Sequence, residues 1–295
     1  MGEQRIAVIG AGAVGAVLAE AAHAAGHQVT MCVRTPFEKL VVDGPDGSTE
    51  LPVEIVTSAE RVPEVDRVLL TTKVQDVATA EPWLHAFDDG RTPVVVVQNG
   101  VEHEESVSAL GWSGPVLPAL IYVGAERVAP GHVVRRTRAR VVVPAGEPGS
   151  ALPELPADVR VESTGDFRTE AWRKMLMNVA ANPITALTMR RLDVLDEPGV
   201  RELCAAVLAE AVEVARAEGA ELTSADADKV VDAYRTGFSP DNGTSMLYDR
   251  LAGLPTEHEH ISGPVVRAGR RHGIATPMNQ ALLTLMRAVR PGGTG

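Results

Sequence analysis

The chain has 295 residues, a formal net charge of −11 and two cysteines. That length exceeds a single small core and suits two domains of ordinary size, and no run of about eighteen uncharged apolar residues is present to span a bilayer. The acidic balance, with no local basic patch to reverse it, excludes nucleic acid and anionic membranes as natural partners and leaves small molecules.

The opening Met-Gly-Glu-Gln-Arg leads straight into an apolar segment. It lacks the basic region and long apolar run of a secretory signal, so a cytoplasmic location is expected. Residues 5–15 then read R-I-A-V-I-G-A-G-A-V-G, a strand running into G-x-G-x-x-G. Gly10 permits a tight turn, Gly12 lets backbone approach a pyrophosphate, and Gly15 lets the next helix pack closely on the sheet. Ala11, Ala13 and Val14 complete this loop. An Ala-rich helix is predicted over residues 14–25, with Gly26 as a left-handed cap and its N-terminal dipole toward the phosphates. A second strand is predicted over residues 28–33. Its end usually carries an acid for the ribose 2′-hydroxyl of NAD, but here stands Arg34, followed by Thr35. A guanidinium suits a 2′-phosphate, which favours NADP; a solvated surface arginine is the other reading.

Further strands are predicted at residues 67–72, 93–98 and 116–121, as short β-branched or apolar runs of a parallel sheet. Two end in T-T-K and Q-N-G. Ligands of open α/β sheets bind at the carboxyl ends of strands, which makes Lys73 and Asn99 site candidates, although a solvated lysine and a turn-forming Asn-Gly would look the same. Residues 132–143 are read as antiparallel strands closing the sheet edge, and residues 144–156 as a loop or hairpin. Cys32 and Cys204 lie far apart and outside any C-x-x-C pair, so two buried thiols are expected, with neither a disulfide nor a zinc knuckle.

From about residue 170 the pattern turns helical, with segments at 170–189, 197–218, 224–236, 257–272 and 278–289. The domains are therefore placed at 1–166 and 167–290, with a flexible tail at 291–295. In the first of these helices Lys174, Asn178 and Asn182 fall at successive i+4 positions on one face, flanked by apolar residues, as in a pocket-facing polar stripe. Around residue 242 the chain reads D-N-G-T-S-M and enters a helix at Thr244 or Ser245. That hydroxyl serves either as a plain N-cap or beside a substrate carboxylate. In P-T-E-H-E-H, Thr256 and Glu259 are read as a capping box with Glu257 in the first turn. His258 and His260, two apart, point in different directions on a helix and make a poor metal pair, and no metal is expected.

These motifs, taken in order from the first strand through N-G-T-S-M and P-T-E to G-I-A-T-P-M-N, resemble the ketopantoate reductase family over the whole chain. The resemblance implies a Rossmann-like dinucleotide-binding domain followed by an all-α C-terminal domain like that of 6-phosphogluconate dehydrogenase. It implies an oxidoreductase in which NADPH reduces 2-dehydropantoate (ketopantoate) to pantoate for pantothenate and coenzyme A synthesis, and a homodimer as in many relatives. Lys174 matches the family's proton-donating lysine and Glu257 its carboxylate partner. Asn99 matches the residue that aligns cofactor and substrate. Asn178 and Asn182 match contacts to the substrate hydroxyl, and Asn242 and Ser245 the carboxylate site. The chain departs from the family's usual pattern at Arg135-Arg136, at Arg190-Arg191-Leu192, and after P-T-E at His258, Glu259 and Ser262-Gly263. Two other functions share these features: the same scaffold acting on a different 2-keto acid or carbonyl, and an NADPH-binding sensor without turnover.

Overall fold

The computed structural model describes residues 2–146 and 152–290; the tail expected at 291–295 and the middle of the loop expected at 144–156 lie outside them. The backbone divides into two compact units, one of residues 1–98 and 102–167, the other of residues 99–101 and 168–295.

In chain order the first unit contains β1 (Arg5–Ile9), α1 (Ala13–Ala24), β2 (Gln28–Cys32), β3 (Leu40–Gly44), β4 (Gly47–Leu51), β5 (Glu54–Val56) and β6 (Arg67–Leu70). It continues with α2 (Glu81–Phe87), β7 (Val94–Val96), α3 (His103–Ser108), β8 (Val116–Pro118), β9 (Leu120–Tyr122), β10 (Ala125–Ala129), β11 (His132–Arg135), β12 (Arg140–Pro144) and β13 (Arg160–Thr164). Six strands form a parallel sheet in the order β5-β2-β1-β6-β7-β8. Strand side chains alternate between faces, and β1 shows the result: Ile6 and Val8 join Ala16 and Val17 of α1, while Ala7 and Ile9 join Trp83, Leu84 and Phe87 of α2. Both faces are apolar, as a doubly covered parallel sheet requires.

The remaining strands correct the expected sheet edge. Residues 116–121 split at Pro118-Ala119: β8 stays in the parallel sheet, whereas β9 pairs antiparallel with β12 in a separate three-stranded sheet, β13-β12-β9. β11 pairs antiparallel with β10 but parallel with β3 in a four-stranded sheet, β10-β11-β3-β4. The β3–β4 hairpin turns through Pro45-Asp46, with Gly44 opposite Gly47. It was not predicted because β4, Gly-Ser-Thr-Glu-Leu, buries only Leu51 and so lacks an apolar alternation.

The second unit is helical: α4 (Phe167–Val179, its first residue belonging to the other unit), α5 (Ala181–Thr188), α6 (Val200–Ala217), α7 (Ser224–Thr236), α8 (Ser245–Leu251), α9 (His258–His272) and α10 (Pro277–Ala288). The single helix expected over residues 170–189 is broken at Ala180, because Pro183 has no N–H to offer the carbonyl four residues back. Asn182 therefore sits on α5, not as a third step of one continuous stripe with Lys174 and Asn178 on α4. The core gathers Trp172, Met175, Leu176 and Val179 of α4 with Val207, Leu208 and Ala211 of α6 and Ile261 and Val265 of α9. α10 has no side-chain cap of its own; Glu210 of α6 accepts the backbone N–H groups of Met278 (2.8 Å) and Asn279 (3.0 Å) instead.

Candidate active site

In the first unit the glycine loop follows the geometry expected of it. Gly10 has φ +107°, and a Cβ there would lie 2.9 Å from the backbone nitrogen of Thr72. A Cβ on Gly15 would stand 2.0 Å from the Gly10 carbonyl oxygen and 2.6 Å from Thr71 Oγ1, so helix and loop touch backbone to backbone. Gly12 differs: no atom lies within 4 Å of its Cβ position. It is the N-cap of α1 and no side chain caps that helix, so the loop with Ala11, Ala13 and Val14 offers open space and helix N–H groups that fit a pyrophosphate. Gly26 has φ +86° just beyond the helix, as expected.

Arg34 is exposed two residues beyond the end of β2. Lys73 is half-buried three residues beyond the end of β6, and its carbonyl accepts the Asp76 N–H at 2.9 Å. Sequence reading missed the support beneath this loop. Thr71 donates to the Gly10 carbonyl at 2.8 Å, buried Gln98 donates to the Thr72 carbonyl at 2.9 Å, and the His103 ring meets the Gln98 carbonyl at 3.1 Å. The clue lay in T-T and Q-N, polar pairs ending two apolar strands.

The departure at Arg135-Arg136 is structural. Arg135 is buried and paired with Glu20 of α1 at 3.2 Å, and Arg136 pairs with Glu126. Burial pushes the Cys32 thiol up to about 12 and that of Cys204 up to about 11. Both are free and buried, and neither is a thiolate at neutral pH.

In the second unit, Lys174, Asn99 and Glu257 form a hydrogen-bonded row. Lys174 Nζ donates to Asn99 Oδ1 at 3.1 Å, and Asn99 Nδ2 donates to Glu257 Oε2 at 2.9 Å. The carboxamide thus presents oxygen to the ammonium and NH₂ to the carboxylate, the one orientation that satisfies both. Glu257 is 5% exposed and Lys174 half-buried. Gly100, at φ +110°, follows Asn99, and its Cβ position is 3.2 Å from the His260 carbonyl, so the turn runs directly against α9.

The capping box expected in P-T-E-H-E is absent. Glu257 is itself the N-cap of α9 and caps no N–H. The Thr256 hydroxyl bonds the His258 ring at 2.8 Å, and Glu259 turns away to Arg287. Two other partners outcompete the local cap, and the Glu257 carboxylate accepts from Asn99. Burial lowers His258 below its ordinary value, opposed by Glu259. Among the described residues no three His, Cys, Asp or Glu side chains are grouped to hold a metal.

Asn178 is half-buried one turn beyond Lys174, and Asn182 is 3% exposed with no partner for its Nδ2. The buried Thr185 hydroxyl, also missed in the sequence, lies 2.7 Å from that of Thr244, which caps α8 by accepting the Leu247 N–H. Thr244 is thus the cap, and Ser245 follows it as an exposed first helical residue. Asn242 is exposed, with its carbonyl accepting the Leu192 N–H at 2.9 Å. The Arg190-Arg191-Leu192 departure holds this loop: Arg191 donates to the Asp241 carbonyl, and Arg190 pairs with Asp193 and Glu197.

The profile described as "Ketopantoate reductase PanE/ApbA" matches residues 6–148, and that described as "Ketopantoate reductase PanE/ApbA C terminal" matches residues 166–290. A protein of Caulobacter vibrioides named 2-dehydropantoate 2-reductase is 38% identical over 286 residues, covering 96% of this chain and 98% of its own. One of Mycobacterium tuberculosis (strain H37Rv), named likewise, is 38% identical over 292 residues, 97% of this chain and 98% of its own. A solved structure of a PanE/ApbA family ketopantoate reductase from Ralstonia eutropha JMP134 superposes with TM-score 0.86 at 29% identity, over 96% of this chain and 97% of that one.

Proposed function

The chain belongs to the ketopantoate reductase family, and on that premise we propose that it is an NADPH-dependent 2-dehydropantoate 2-reductase, reducing ketopantoate to pantoate for pantothenate and coenzyme A synthesis. The Lys174–Asn99–Glu257 row carries this reading. In our assignment the segment 1–166 binds NADP(H) through Gly10, Ala11, Gly12, Ala13, Val14, Gly15, Arg34 and Lys73, and the segment 167–290 takes the keto acid. The nicotinamide, when bound, supplies the hydride.

Hydride arrival at C2 builds charge on the carbonyl oxygen, which must be stabilised and protonated in the same step. Lys174 does both: its Nζ gives a proton to that oxygen. Asn99 fixes the ammonium by accepting from it, and Glu257 fixes Asn99 by accepting in turn, so the lysine is aimed by a buried carboxylate through one rigid amide. Asn178 and Asn182 take the substrate hydroxyl; Asn242 and Ser245 take its carboxylate.

The protein works in this reading as a cytoplasmic homodimer, which light scattering after gel filtration tests directly. The deciding experiment is NADPH oxidation by the purified protein with ketopantoate and a panel of other 2-keto acids, with NADH as control. Preference for ketopantoate with NADPH is expected. Turnover of another acid alone would assign a different substrate, and NADPH binding without any turnover would make the protein a sensor.

A further inference from the structure

The break between α4 and α5 is filled by a side chain from a third helix. If the helix continued, the Ala181 N–H would bond the Met177 carbonyl four residues back. Instead the hydroxyl of Tyr234, on α7, takes up the carbonyl that the break frees: it donates to the Met177 oxygen at 2.9 Å. The Leu176 carbonyl lies 3.3 Å from the same oxygen. Burial, with Cys204 nearby, pushes the Tyr234 hydroxyl well above its ordinary value, so it remains a donor. Pro183 obliges the helix to break somewhere here. The hydroxyl holds the form of the break, because a side chain inserted into the helical ladder bends it there. On one side of it lie Lys174 and Asn178, and on the other, one residue past Ala181, lies Asn182 with its buried, unpartnered Nδ2.

We propose that Tyr234 is a positioning residue: its hydroxyl, built into the α4–α5 break, sets the rotation of Asn182 relative to Lys174 and Asn178 and thereby the recognition of the substrate hydroxyl. This rests on the reading of Asn182 given above. Tyr234 touches no reacting atom; it acts through the backbone at Met177, in the last turn of α4.

The test is Tyr234→Phe, which keeps the ring in the core and removes only the oxygen. Two acids are compared at saturating NADPH: ketopantoate, and 3,3-dimethyl-2-oxobutanoate, the same skeleton without the hydroxyl. Loss of one aligned hydrogen bond predicts about a tenfold fall in kcat/KM for ketopantoate, carried by KM, and a change within about twofold for the deoxy acid. The fall should vanish when Tyr234→Phe is made in an Asn182→Ala background. Equal losses on both acids, or an undiminished loss in that background, would overturn the proposal, since a general loosening of the unit predicts both. Hydrogen–deuterium exchange of the free enzyme over residues 178–184 gives a readout independent of turnover. It should speed up in Tyr234→Phe while the β1–α1 segment is unchanged. If the wild type reduces neither acid, the proposed function fails, and the exchange comparison alone decides Tyr234: unchanged exchange refutes it, faster exchange supports it.

Discussion

Gly12 and Gly15 are three residues apart in one motif, yet the structure assigns them opposite sensitivities. A methyl at Gly15 would stand 2.0 Å from the Gly10 carbonyl oxygen, so α1 must retreat by about 1 Å to restore normal contact. That retreat strains a well-packed interface, at about 1–3 kcal/mol. It also loosens the Thr71 bond to the Gly10 carbonyl, worth about 1 kcal/mol. Gly15→Ala should therefore cost roughly 2–4 kcal/mol, a large part of a stability of about 5–15 kcal/mol. A methyl at Gly12 meets no protein atom, and the φ of −78° there suits alanine. Gly12→Ala should cost under about 1 kcal/mol, mainly from the poorer N-cap, yet weaken NADPH about tenfold or more by occupying the space of the pyrophosphate. Urea denaturation and fluorescence titration of NADPH, run on both variants, separate the two effects. Wild-type affinity in Gly12→Ala would refute the placement of the phosphates, and wild-type stability in Gly15→Ala would refute the packing argument.

Lys174→Ala should lower turnover at least about a hundredfold, as for loss of a general acid, while NADPH affinity is kept; near-normal turnover in a folded variant would remove Lys174 from the chemistry. Arg34→Ala should raise the Kd of NADPH far more than that of NADH, and equal losses would show that Arg34 does not read the 2′-phosphate. Asp226 is held below the usual carboxylate range by the Thr223 N–H, against the cost of burial, with help from the Thr223 hydroxyl, Lys229 and Arg173. Because its folded value is depressed, its contribution is complete above the unfolded value near 4 and is lost as pH falls through the folded one. Asp226→Ala should thus cost about 1 kcal/mol at pH 7 and progressively less as pH drops below about 4. A pH-independent difference in melting would show that the cap does not depend on the charge.

What the sequence disclosed was governed by local rules. The G-A-G-A-V-G loop, the Gly26 cap and the 224–236 helix were legible because each depends on residues within a few positions. The two small sheets were not, since β4 is mostly polar and β9 is separated from β8 only by Ala119, with no apolar gap to mark a change of sheet. Asn99, Lys174 and Glu257 could each be named, but their row joins residues 75 and 158 positions apart. No spacing rule reaches across such separations. The capping box failed for the complementary reason: Thr256 and Glu259 fit the local pattern, and the distant Arg287 outcompeted it.

Glu210 couples two helices far apart in the chain. α10 takes its N-terminal acceptor from α6, through bonds spanning 68 and 69 residues, and Asn279 adds its own NH₂ to the same carboxylate at 2.7 Å. The last helix therefore has no autonomous starting point. It is a client of a segment synthesised long before it, and its amides should be released to exchange only when α6 also lets go, making the two helices a single cooperative unit. A chain truncated before residue 277 would leave the Glu210 carboxylate without these three donors, so the terminal helix completes its host as much as it is completed by it.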